Sequence, residues 1–70
     1  MTNIEFLAIT LKLSGFDILN LIDDDDGHLE LEKNILIHVK QSYVLTKDEV
    51  LITETADIKH LIAEIKRLMS

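Results

Sequence analysis

Between His28 and Lys40 the apolar residues Leu29, Leu31, Ile35, Ile37 and Val39 take odd positions, while His28, Glu30, Glu32, Asn34, His38 and Lys40 take even ones. Leu36 is the single apolar exception. Alternation with period two puts one set of side chains on each face of a pleated strand, so this stretch reads as half-buried β-structure. Two arrangements keep the phase: one long or bent strand, or a hairpin. The hairpin is slightly favoured, with a three-residue loop at Glu32-Lys33-Asn34 and Asn34 in the left-handed region. It pairs Leu31 with Ile35 and Leu29 with Ile37.

The flanking segments extend the pattern. Thr2-Asn3-Ile4-Glu5 has the form of a capping box and predicts a helix from Asn3 to Leu13. Ile4, Leu7, Ala8 and Leu11 share one face, with Phe6, Ile9 and Leu13 widening it, and Gly15 serves as the stop. The period-two spacing of Leu7, Ile9, Leu11 and Leu13 also allows a strand, although the caps favour helix. Phe16 to Ile22 reads as a buried strand, and Tyr43-Val44-Leu45 as a further strand after a tight turn near Gln41-Ser42. Thr46 to Glu49 is either a hairpin loop before a strand at Val50-Leu51-Ile52 or a second capping box. Ile58, Leu61, Ile62, Ile65, Leu68 and Met69 follow helical spacing, with Thr55 as N-cap, Asp57 in the first turn and Lys66 and Arg67 in the last.

The order predicts one α+β domain over residues 1–70. An N-terminal helix, a small antiparallel sheet of three to four strands and a C-terminal amphipathic helix form two layers. A chain of 70 residues with no cysteine must hold this together by packing alone. That suits a reducing cytoplasm. The start lacks the basic residues of a secretory signal, and no apolar stretch reaches the roughly 20 residues needed to span a bilayer. With no proline and two glycines, the strand edges lack one common safeguard against pairing. Leu19, Leu21, Leu36, Val50 and Ile52 exceed what a small core absorbs, so a homodimer through a strand edge is also expected.

The formal net charge is −6, and it is uneven. Met1 to Glu32 holds eight acids and one base, whereas Lys33 to Ser70 holds six bases and five acids. A negative field repels nucleic acid and anionic membrane and draws basic protein surfaces, so the expected partner is a basic protein surface. Solubility alone is the plainer account of the same charge.

Asp23-Asp24-Asp25-Asp26-Gly27 concentrates that charge between two strand-like segments. Placing Gly27 as the glycine of an EF-hand loop would make Ile22 the first ligand and Lys33 the last, and neither chelates. A looser cation site at Asp24 and Asp26 is less favoured than a solvated turn. Asp23, Asp24, Asp25 and Asp26 with Glu30 and Glu32 form a candidate acidic edge that imitates phosphates, and Tyr43 is a candidate interface anchor, though core packing suits it better. Phe6 and Phe16 read as core. In the hairpin His28 and His38 lie opposite each other, near enough to share a zinc ion with Asp26, but surface imidazoles are the simpler reading. His60 is placed to pair with Glu64 one turn on. Ser14, Ser42 and Ser70 sit in no nucleophile context and the glycines form no phosphate loop, so no enzyme, catalytic residue, metal or cofactor is expected.

Together these elements describe an acidic chain with a helix, antiparallel strands joined by an Asp-rich turn, and a closing amphipathic helix. In size, charge and element order it resembles small phage anti-CRISPR inhibitors, some of which imitate DNA to block a Cas effector. The resemblance is one of pattern across most of the chain and carries over no residue. It implies stoichiometric binding to a basic nucleic-acid channel, with Asp23 to Asp26 as the first contact. A self-associating protein and a weak ion-binding domain are the alternatives.

Overall fold

The computed structural model describes residues 3–22 and 27–70. Helix α1 (Asn3–Leu13) is followed by strands β1 (Ile18–Ile22), β2 (His28–Leu31), β3 (Ile35–Val39), β4 (Tyr43–Lys47) and β5 (Val50–Thr55), and helix α2 (Ile58–Met69) closes the chain. The strands form one antiparallel meander in the order β1-β2-β3-β4-β5. This is the α+β fold expected, with five strands where three to four were predicted. The extra count comes from β5, which extends to Thr55.

The hairpin register is the predicted one: Leu31 pairs with Ile35, Leu29 with Ile37 and His28 with His38. Asn34 adopts positive φ, as does Lys33. The in-phase loop keeps Leu29, Leu31, Ile35 and Ile37 on one face, where Leu45 of β4 joins them. The helices cover that face and add Ile4, Leu7, Ala8 and Leu11 from α1 and Leu61 and Ile65 from α2. Nine of these side chains, from Leu7 to Ile65, are fully buried, and no polar side chain is buried with them among the described residues.

Local chemistry sets the helix ends. At the end of α1 the Phe16 amide donates to the Leu11 carbonyl at 3.0 Å and the Gly15 amide to Lys12 at 3.1 Å, with Gly15 at φ +95°. These are the paired bonds of a Schellman cap, and the left-handed residue they require is the reason for glycine there. The other half of the α1 prediction, Thr2 in a capping box, lies outside the described residues. In α2 the N-cap is Asp57 rather than Thr55: its carboxylate accepts from the Lys59 amide at 2.9 Å. Thr55 acts one step earlier, its hydroxyl accepting from the Asp57 amide at 3.0 Å. Aspartate outcompetes threonine at this position because a charged acceptor also meets the positive end of the helix dipole.

Three further expectations are corrected. The segment from Phe16 is not a buried strand, because β1 begins at Ile18, lies at the sheet edge and is largely exposed. Phe6 is 49% exposed, since it lies on the side of α1 away from the sheet. Ile52, taken as surplus, packs against the core, because an irregularity opposite Leu45 and Thr46 gives β5 an extra residue there.

Thr46 to Glu49 resolves as the hairpin alternative. Lys47 pairs with Val50 across a two-residue turn in which Asp48 and Glu49 both have positive φ, +53° and +67°. That is the type I′ pattern, for which asparagine and glycine are the usual residues. Replacing Glu49 by glycine should raise stability by up to about 1 kcal/mol, read as a higher midpoint in urea with an unchanged slope. Leu45→Ala, at the fully buried centre of β4, should cost about 2–5 kcal/mol by the same assay.

Candidate functional site

The face of the sheet turned away from the helices is uncovered. Cross-strand pairing places two complete rows on it. Ile22, His28, His38, Val44 and Glu54 form one, and Asn20, Glu30, Leu36, Thr46 and Leu51 the other. No lysine or arginine occupies an open-face strand position among the described residues; Lys47 pairs beside Ile35 on the helix side. Lys33 is drawn off in the same direction, its ammonium donating to the Met69 carbonyl at the C-terminus of α2 over 3.1 Å.

At one end of this face a groove of about 390 Å³ is lined by Glu30, Asn34, Leu36, Asp48 and Glu49. Two loops build it, and they are bonded to each other. The Asn34 side-chain amide donates to the Asp48 carboxylate at 3.0 Å, and the Asp48 backbone amide donates to the Asn34 carbonyl at 3.1 Å. Among the described residues, the non-glycine ones with positive φ are Lys33, Asn34, Asp48 and Glu49, all in these two loops. Left-handed backbone costs an ordinary residue roughly 1–2 kcal/mol, so the two loops hold strain that the bonds between them sustain. Its result is three carboxylates around one groove.

The candidate residues do not gather into a single site. Glu30 lines the acidic groove, whereas Glu32 lines a different hollow with Lys12, Gly15, Phe16, Asp17, Ile18 and Leu19. Tyr43 is half-buried against the core, beside Val39 and Ala56 in a small hollow on neither of these sites. Asp23, Asp24, Asp25 and Asp26 lie outside the described residues. Ile22, which precedes them, pairs with His28 at the opposite end of the sheet from the Asp48-Glu49 turn.

The imidazoles of His28 and His38 do face each other, with ring centroids 5.5 Å apart and planes tilted by 43°. Asp26, the third zinc donor considered, is outside the described residues, and no group of three metal-binding side chains occurs among the described ones. The sequence left Thr46 to Glu49 open between a hairpin loop and a capping box, and nothing in the spacing tied Asp48 and Glu49 to Glu30, 18 and 19 residues away.

On the other side of the molecule Glu64 pairs with Arg67 at 2.6 Å, not with His60 as the spacing suggested. The Arg67 hydrogen bond is the main reason the Glu64 carboxyl sits below its ordinary range, with partial burial opposing it and weaker attraction from Arg67 and His60 charges assisting. Arginine's planar fork wins this contact over the more distant imidazole. A lowered carboxyl contributes stability above its unfolded pKa that is lost as pH falls through the folded value. Arg67→Gln should return the Glu64 titration toward the ordinary carboxylate midpoint, measured by carbon-13 NMR of the side-chain carboxyl.

No helix among the described residues is long and apolar enough to cross a membrane. The chain matches no known protein family, no curated protein and no solved structure.

Proposed function

We propose that this protein is a non-enzymatic binding module that presents its open, acid-bordered sheet face to a basic protein surface. The observation that carries the reading is the strained pair of loops. Asp48 and Glu49 stand where asparagine and glycine would be more stable, and the bonds to Asn34 hold them beside Glu30. A turn that gives up stability for charge is suited to recognition, where fixed carboxylates lose little entropy on meeting arginine or lysine.

Leu36 supplies an apolar contact in the groove, and with no lysine or arginine at the described strand positions of this face, Glu30 and Glu54 meet no opposing cation there. The partner chemistry that fits is a cationic groove of the kind that holds a phosphate backbone, so the protein acts as a stoichiometric inhibitor of a nucleic-acid-binding protein. The pattern-level likeness to small phage inhibitors agrees with this.

The test is capture from the native cell with three baits: wild type, Glu30→Gln/Asp48→Asn/Glu49→Gln, and Asp23–Asp26 all replaced by asparagine. The expected partner is retained by wild type, lost from the first variant, displaced by DNA or RNA, and weakened about tenfold or more between 50 and 200 mM salt. A partner held equally by all three baits, or unaffected by nucleic acid, would sink the reading.

A further inference from the structure

We infer that His28 and His38 form a two-histidine site on the open sheet face, which takes one borderline divalent transition-metal ion of the zinc and copper class, with water in its remaining positions. Two imidazoles chelate one ion only where the backbone sets them side by side, and the register does so. The Val39 amide donates to the Gly27 carbonyl at 3.0 Å, and one step along the β2–β3 register from His28 and His38 sets these two residues opposite each other. In an antiparallel ladder, opposed residues that share backbone hydrogen bonds alternate with opposed residues that do not. His28 and His38 are therefore a non-hydrogen-bonded pair, the kind whose Cα atoms approach to about 4.5 Å and whose side chains stand closest.

The rings are spaced for a shared ion. Zinc–nitrogen bonds of about 2.0–2.1 Å put the metal roughly 3.2 Å from each ring centre, so two rings bound at a tetrahedral angle have centres about 5.2 Å apart. The centroids of His28 and His38 lie 5.5 Å apart, a separation that small side-chain rotations close. Both side chains are half-buried, which restrains them and leaves them open to solvent. Their chain neighbours Leu29 and Ile37 are fully buried on the opposite face, so the core fixes the backbone that carries the pair.

The surrounding charge suits a cation. Glu30 lies two residues from His28 on the same face, and no lysine or arginine occupies a described strand position there. Lys40, just beyond the end of β3, is engaged within the chain. The donors set the class of ion: neutral imidazoles suit Cu²⁺, Ni²⁺ and Zn²⁺, whereas Mg²⁺ and Ca²⁺ need oxygen ligands. With two imidazoles and no group of three metal-binding side chains among the described residues, the ion is exchangeable and the fold does not depend on it.

Calorimetric titration with Zn²⁺ tests this, in about 10 mM Mg²⁺ to occupy carboxylates that take hard cations. Circular dichroism checks that each variant is folded. Wild type should bind one Zn²⁺ per chain with Kd below about 100 µM. His28→Gln and His38→Gln should each weaken binding at least about tenfold, while His60→Gln, on α2 across the sheet, should leave it unchanged. Zn²⁺ should also raise the urea midpoint of the wild type and not that of His28→Gln/His38→Gln, because the paired register exists only in the folded chain. In nitrogen-15 NMR the imidazole signals of His28 and His38 should move together. Weaker binding than this overturns the inference, as does an affinity shared by the double variant or an imidazole shift confined to His60. None of these substitutions touches the groove at Glu30, Asp48 and Glu49, so partner capture and metal binding can fail separately.

Discussion

The pairing of Leu31 with Ile35 across a three-residue loop is the contact on which the rest of the molecule depends. A strand's side chains alternate faces, so a slip of one residue would send Leu29, Leu31, Ile35 and Ile37 to opposite sides. Held in phase, they form a single apolar surface that Leu45 extends and both helices cover. The same register determines the other face. By sending every buried group one way, it leaves His28, Glu30, Leu36, His38, Val44 and Thr46 together on the uncovered side.

That division gives the protein its electrical asymmetry. Lys33 reaches back to the C-terminus of α2 and Arg67 is held by Glu64, while Asp48 and Glu49 turn toward Glu30. Three carboxylates thus line one groove at the loop end of the open face, while Lys33 and Arg67 are engaged on the helical side. The left-handed residues at the loop end belong to the same arrangement, since a relaxed glycine-rich turn would carry no carboxylates to the groove.

α1 shows how little a small fold can hide. With 11 buried core residues among those described, one face of this helix satisfies the sheet. Phe6, Ile9 and Leu13 are left over, because a two-layer domain has nothing above its helices. The apolar surplus therefore lies mainly on the helix and at β1 and β5, where Leu19, Val50 and Leu51 are exposed, while Ile52 finds the core.

Local order was written in the sequence. The period of residues 28–40, the stop at Gly15 and the helical spacing from Ile58 to Met69 determine the element types and the hairpin register, because each rests on neighbours a few residues apart. The buried face of α1, Ile4, Leu7, Ala8 and Leu11, was also legible there, but Phe6, Ile9 and Leu13, expected to widen it, lie outside it, since they are equally apolar and only the sheet beneath distinguishes them. The approach of Asp48 to Asn34, the capture of Glu64 by Arg67 in place of His60, and the edge position of β1 could not be read there. Burial and long-range contact depend on what lies across the layer, and that partner exists only once the chain has folded.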